Sequence, residues 1–145
     1  MVKVIYTAQA TVTGGRTMGH GVTSDGVLDV QLRVPRETGG EEVGTNPEQL
    51  FAVGYAACFG GALDVVARRE RLDLGAVSIE SRVSLVMTEE RVFTVAVSLD
   101  VTLPAIADGA QARRVVAAAH RTCPYSNATR GNVEVELTAN GERVE

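Results

Sequence analysis

The fold is decided by residues 46–72, which read NPEQLFAVGYAACFGGALDVVARRERL. Asn46 can cap a helix, Pro47 suits the first helical position, and Gln49 can complete a capping box with Asn46. From Leu50 to Leu63 the segment is apolar on every side and crowded with Ala and Gly, so neighbouring elements must surround it closely. We therefore predict a central helix that starts at Pro47 and ends near Leu72.

Strand patterns lie on both sides of this helix. Alternating apolar and polar residues, rich in β-branched side chains, are typical of half-buried strands. They occur at residues 2–13 and 27–32, at residues 76–88 and 92–103, and at residues 132–139, and the first two pairs predict antiparallel hairpins. Asp108 opens a second helix over residues 110–122, whereas residues 36–44 have no periodicity and predict a surface loop. The order β-β-α-β-β-α-β predicts a single α+β domain, residues 1–145, with antiparallel sheet packed around the long helix.

Composition and charge argue against several classes of function. The chain has 14 Lys and Arg against 18 Asp and Glu and no basic run, so nucleic acid is not an expected partner. The start lacks the pattern of a signal peptide, and the uncharged apolar stretch from Leu50 to Leu63 falls short of the roughly 20 residues that cross a bilayer. We expect a cytoplasmic protein with no membrane partner. Only three Phe and three Tyr serve the core, so a partner subunit is expected to share the apolar helix.

Two cysteines are the first candidates for chemistry. Cys58 lies in the middle of the apolar helix, and Cys123 lies at the end of the second helix, before Pro124. Each has a simpler interpretation, Cys58 as a small core residue and Cys123 as a helix-end residue without a role. Because both helices must pack on the same sheet, the two can approach within disulfide reach, about 4.4–6.8 Å between Cα atoms. In the reducing cytosol such a pairing would be transient.

The surroundings of the two cysteines suggest different roles, because the thiolate is the nucleophile and nearby charge sets its pKa. Cys58 is too deep in its helix for the helix dipole to help, so it needs a cation from elsewhere. Arg16, which follows two glycines in a loop, is the candidate, although a lone loop arginine is by default solvated. Cys123, at the negative end of the second helix, suits a resolving thiol. Pro124 can instead begin a new short helix with Cys123 as its cap, which weakens that argument.

Glu48 has two interpretations. It can simply complement the helix dipole, or it can hold Arg16. Glu48 and Cys58 are ten residues apart, which is about 15 Å along an ideal helix with azimuths that differ by about 80°. If both serve one site, Glu48 and Arg16 should come from the partner subunit, or the helix must be distorted.

The sequence gives little support for a zinc site, a hydrolase triad or a phosphate-binding loop. His20, His120 and the two cysteines lack the short spacings of a zinc site, and His120 is expected to be an ordinary helix residue. No local motif organises a hydrolase triad, and the loop before Arg16 is too short to bind phosphate.

Three segments carry a family resemblance. They read GTNPEQLF at 44–51 with GYAACF at 54–59, CPYSNATRGN at 123–132, and TGGR at 13–16. With these segments the chain resembles, over nearly its whole length, the organic hydroperoxide resistance branch of the Ohr/OsmC peroxidases. The sequences QLF at 49–51 and PYS at 124–126 favour this branch over the osmotically induced one.

The resemblance implies an OsmC-like α+β fold, with antiparallel sheets around long central helices in an intertwined homodimer. It implies that Cys58 is the peroxidatic cysteine, that Cys123 is the resolving cysteine, and that Arg16 and Glu48 form the polar pair that activates Cys58. The implied reductant is a lipoylated protein or dihydrolipoamide, with no metal, haem or flavin as cofactor. Apolar residues near Cys58 can line a pocket for an alkyl or fatty-acyl hydroperoxide; the candidates are Leu50, Phe51 and Phe59.

Three alternatives remain at this point. One is an OsmC-type peroxidase with broader peroxide use. Another is a non-enzymatic thiol redox sensor, although the chain lacks a basic patch for a DNA-linked version. The third is a ligand-binding or structural dimer with inert cysteines.

Overall fold

Helix α1 spans Pro47–Glu70, close to the predicted bounds. The side-chain oxygen of Asn46 accepts the backbone N–H of Gln49 at 2.9 Å, which is the predicted cap. The Gln49 side chain accepts the Thr45 hydroxyl at 2.7 Å, so it does not complete the capping box as predicted. Thr45 and Asn46 together fix where the helix begins.

The computed structural model describes residues 1–145, which fall into two compact units, residues 1–50 and residues 51–145. Helix α1 begins in the first unit and continues through the second. The single domain expected from the sequence stays a prediction.

The first unit contains a three-stranded antiparallel sheet in the order β1-β2-β3. The strands are β1 (Ala10–Thr13), β2 (Met18–Thr23) and β3 (Asp29–Arg33), and a short 3-10 helix spans Arg36–Thr38. The predicted first strand was wrong for residues 2–9, which lie outside the sheet. Strand β2 was not predicted, because glycines at positions 19 and 21 interrupt its apolar alternation.

The second unit contains a four-stranded sheet in the order β4-β5-β6-β7. The strands are β4 (Ser78–Met87), β5 (Phe93–Thr102), β6 (Glu134–Ala139) and β7 (Glu142–Val144). The β4–β5 hairpin confirms the prediction. The expected antiparallel pairing holds for β4–β5 and β6–β7, whereas β5 and β6 pair in parallel across a helical crossover. The short strand β7 was not predicted.

Two helices form the crossover between β5 and β6. Helix α2 spans Gly109–Thr122 and is capped by Asp108, whose carboxylate accepts the Ala110 N–H at 2.9 Å. Helix α3 spans Pro124–Thr129. Cys123 lies between them and is both the C-cap of α2 and the N-cap of α3. The alternative in which Pro124 begins a new helix is therefore the observed one, and a purely C-terminal environment for Cys123 was wrong.

The core of the second unit lies between one face of α1, the helix α2 and the sheet. Its fully buried side chains include Tyr55, Phe59, Leu63, Leu99, Val101, Val115 and Val116. The opposite face of α1 is uncovered in the single chain, with Val53 72% exposed and Val65 38% exposed. By length and composition alone α1 also has the properties of a membrane-crossing helix, which core helices of soluble proteins share.

Candidate active site

The two cysteines meet inside the second unit. Both are free thiols, and the Cys123 Sγ donates to the Cys58 Sγ across 3.6 Å. Cys58 is half-buried on the third turn of α1, whereas Cys123 is completely buried. A disulfide is about 2.05 Å long, so a small side-chain movement is enough to join the two sulfurs.

The Cys58 thiol is in an environment that opposes ionisation. Burial raises the pKa of Cys58 above its ordinary value, and the adjacent Cys123 thiol raises it further. The backbone N–H of Tyr125 points at the Cys58 sulfur and lowers the pKa, but burial outweighs it. No cation of the second unit contributes to this shift. No positive charge within residues 51–145 thus offsets the effect of burial on Cys58.

Arg16 and Glu48 form an ion pair in the first unit. Arg16 lies in the turn between β1 and β2, and its Nη2 donates to Glu48 Oε1 at 2.8 Å and to Oε2 at 2.6 Å. This hydrogen bond lowers the pKa of Glu48 below its ordinary value. Because Nη2 serves both carboxylate oxygens, Nε and Nη1 stay free to bind another anion.

The four residues predicted for the site thus lie in two pairs, one in each unit. The structure brings Arg16 to Glu48 and Cys58 to Cys123. Glu48 and Cys58 both lie on α1, about 15 Å apart along its axis by helical rise.

Three aromatic side chains form a cluster within the second unit. Phe51, Tyr55 and Tyr125 pack in contact, with ring centroids 5.8–6.0 Å apart. Gly54 makes room for this cluster, because a Cβ there would come within 3.3 Å of the Tyr125 hydroxyl. Tyr125 remains 40% exposed. Phe59, expected as a pocket residue, is instead fully buried in the core.

A buried polar network next to the cysteines was missed at the level of sequence. Ser126 Oγ lies 2.8 Å from both the Tyr55 hydroxyl and His120 Nδ1, and Tyr55 also reaches Thr129 Oγ1 at 3.2 Å. His120 was expected to be an ordinary helix residue. Burial lowers the pKa of His120, and the nearby charge of Arg130 adds to the shift. A signal was available, since Tyr55 and Ser126 each lie three residues from one of the cysteines.

The remaining histidine, His20, lies in the first unit. His20 Nε2 lies 2.5 Å from Asp29 Oδ1, across the β2–β3 pair of the first unit. The structure contains no cluster of His, Cys, Asp and Glu that could hold a metal ion.

Comparison with known proteins gives consistent matches. Residues 38–138 match the family described as OsmC-like protein. The organic hydroperoxide resistance protein of Xanthomonas axonopodis pv. citri is 52% identical over 138 residues, which cover 94% of this chain and 95% of that protein. The organic hydroperoxide resistance protein OhrB of Bacillus subtilis is 47% identical, over 92% of this chain and 96% of OhrB.

Solved structures agree with these relatives. The crystal structure of OhrB from Bacillus subtilis superposes with a TM-score of 0.84 at 46% identity, over 93% of this chain and 98% of OhrB. An organic hydroperoxide resistance protein from Legionella pneumophila gives a TM-score of 0.87 at 48% identity, over 94% of this chain and 98% of that one. The α+β architecture described above is the one that these proteins share.

Proposed function

The chain belongs to the OsmC-like family, in its organic hydroperoxide resistance branch, and on that premise we propose that it is a thiol peroxidase that reduces organic hydroperoxides to alcohols. The observation that carries the proposal is the 3.6 Å approach of the Cys58 and Cys123 sulfurs. Two thiols at this separation can pass between the reduced and disulfide states without a rearrangement of the helices.

In the first step the Cys58 thiolate attacks one oxygen of the hydroperoxide. A sulfur–oxygen bond forms, the oxygen–oxygen bond breaks, and the departing alkoxide takes a proton to leave as the alcohol. The sulfur becomes a sulfenic acid, oxidised by two electrons. In the second step the Cys123 sulfur attacks the Cys58 sulfur, and the hydroxyl leaves as water with the thiol proton. The product is the Cys58–Cys123 disulfide.

Activation of Cys58 is assigned in this proposal to Arg16, held by Glu48. A guanidinium near the sulfur would stabilise the thiolate and offset the burial that raises the pKa of Cys58. Since Glu48 and Cys58 are separated along α1, we assign the Arg16–Glu48 pair to the Cys58 of the other subunit in a homodimer. The uncovered face of α1 supports a dimer, because an apolar helix face needs cover.

The substrate is proposed to be an alkyl or fatty-acyl hydroperoxide. Phe51 and the half-exposed Tyr125 offer apolar contact next to the cysteines. The names of the relatives point to organic hydroperoxides. The disulfide is proposed to be reset in the cytoplasm by a lipoyl dithiol, free or carried on a protein, and the cycle requires no metal, haem or flavin because sulfur carries the electrons.

Peroxide consumption with dihydrolipoamide as reductant tests this function. Wild type should consume tert-butyl hydroperoxide faster than hydrogen peroxide. Cys58→Ser should be inactive, and Cys123→Ser should complete the first oxidation but not form the internal disulfide. Activity that survives in Cys58→Ser would rule out the mechanism.

A further inference from the structure

The hydroxyl of Ser126 lies at the junction of three helices. It belongs to α3, and it contacts Tyr55 of α1 and His120 of α2, both at 2.8 Å. Ser126 and Tyr55 have no exposed surface, so water cannot replace these bonds. Cys123 is the residue that joins α2 to α3. Ser126 therefore ties the segment after Cys123 to the helix that carries Cys58.

The hydrogen bonds of this network form a consistent set. Thr129 donates its hydroxyl to the Tyr125 carbonyl at 2.9 Å, so it can accept from Tyr55. If His120 Nδ1 accepts, Ser126 donates to it and Tyr55 gives its one proton to Ser126, which leaves none for Thr129. If Nδ1 carries a proton, it donates to Ser126, Ser126 donates to Tyr55, and Tyr55 donates to Thr129. Ser126 keeps two partners in either protonation state of His120.

The position of α3 affects the positions of two groups at the reacting centre, the Cys123 sulfur and the Tyr125 N–H. The Cys123 sulfur is 3.6 Å from the Cys58 sulfur, and the Tyr125 N–H points at the same Cys58 sulfur. Tyr125 immediately precedes Ser126 on α3, and Cys123 is the cap residue directly before that helix. Disulfide closure must bring the two sulfurs from 3.6 Å to about 2.05 Å. A shift of α3 that moved the sulfurs apart by about 1 Å would add a large fraction to that movement.

We propose that Ser126, held between Tyr55 and His120, is a positioning residue that sets the rate at which Cys123 closes the disulfide on oxidised Cys58. The proposal rests on the thiol peroxidase function above. It places Ser126 outside the reacting atoms and gives it one task, which is to keep the Cys123 sulfur opposite the Cys58 sulfenic acid.

The competition between two reactions of the Cys58 sulfenic acid tests this role. A sulfenic acid is either captured by Cys123 or oxidised by a second peroxide to sulfinic acid. The peroxide concentration at which half of Cys58 becomes sulfinic acid reports the closure rate, and it does not depend on the rate of first attack. Mass spectrometry after exposure to tert-butyl hydroperoxide measures it. In Ser126→Ala and in Tyr55→Phe we expect this concentration to fall about fivefold, the change that corresponds to one buried hydrogen bond.

Two further variants sharpen the result. The double variant should be no more sensitive than Ser126→Ala, because both single changes remove the same hydrogen bond. Ser81→Ala is the matched control, since the Ser81 hydroxyl is buried without a partner and its loss should leave the partition at the wild-type value. If Ser126→Ala does not fold, Tyr55→Phe, which keeps the ring, decides the question.

The outcomes separate the two proposals. Wild type that forms no Cys58–Cys123 disulfide with organic hydroperoxide would overturn the peroxidase function itself. If wild type does form the disulfide, but Ser126→Ala or Tyr55→Phe resists sulfinic acid formation as well as Ser81→Ala does, only the role of Ser126 is overturned.

Discussion

At the scale of single residues, the ionisation of Cys58 is the property that the proposed activity depends on most. Burial raises the pKa of Cys58, so a higher pH is needed to form its thiolate unless a cation is present. If Arg16 supplies that cation, Arg16→Ala should shift the pH midpoint of Cys58 alkylation by iodoacetamide upward. We expect alkylation at pH 7 to slow by about tenfold, one unit of pKa.

Arg36→Ala is the control for that measurement, because Arg36 lies in the same unit on the short 3-10 helix. Its alkylation profile should match wild type. A profile unchanged in Arg16→Ala as well would remove Arg16 from the activation of Cys58.

The residues of the candidate site differed in how far sequence could identify them. Cys58 and Cys123 lie in conspicuous segments, and Arg16 was proposed as the cation that Cys58 lacks, with Glu48 to hold it. The family resemblance implied the same pair. The Tyr55–Ser126 hydrogen bond joins residues 71 positions apart, so the place of each residue near a cysteine is visible in the sequence but their pairing is not. A buried hydroxyl reveals its partner only when the packing of the helices is known.

At the scale of elements, the turn that carries Arg16 depends on one close backbone approach. A Cβ at Gly19 would lie 1.8 Å from the Gly15 carbonyl oxygen, so Gly19→Ala must displace the turn or the strand β2. We expect a loss of about 2 kcal/mol in the free energy of unfolding, typical of steric overpacking. Urea denaturation measures it.

Gly21→Ala, two residues further along β2, provides the comparison. Its Cβ would meet the side chains of Val12, Val30 and Leu32 at 3.5–3.8 Å, which are ordinary contacts, so its stability should stay close to wild type. Equal stability of the two variants would contradict the proposed dependence of the turn on Gly19.

Elements were predictable where local signals are strong. Helix α1 and the β4–β5 hairpin follow from a cap and from long alternating segments. Strand β2 was missed, because its glycines have no side chains to alternate. The parallel pairing of β5 with β6 also escaped prediction, since alternation indicates which face of a strand is buried but not its direction.

At the scale of the whole molecule, the uncovered face of α1 is the feature that a proposed homodimer explains. Val53 is 72% exposed within the apolar part of the helix, residues 50–63. An Asp at this position would place a charge in an apolar interface, at a cost that disfavours association. We expect Val53→Asp to shift the protein from dimer to monomer in analytical ultracentrifugation, and to slow peroxide consumption if the partner supplies Arg16.

Val27→Asp is the matched control, since Val27 is 86% exposed before β3 and away from α1 in sequence. It should leave the oligomeric state unchanged. A wild-type protein that sediments as a monomer would contradict the dimer directly.

The complete burial of Cys123 also has a consequence for how the proposed cycle is reset. An incoming thiol attacks a disulfide in line, and it must reach one of the two sulfurs from solvent. Cys123 has no exposed surface, whereas Cys58 is partly open. In the proposed cycle we therefore expect the reductant to attack the Cys58 sulfur, with Cys123 as the leaving thiolate. Regeneration would then be regioselective, and the covalent intermediate with the reductant would form at the same atom that first meets the peroxide.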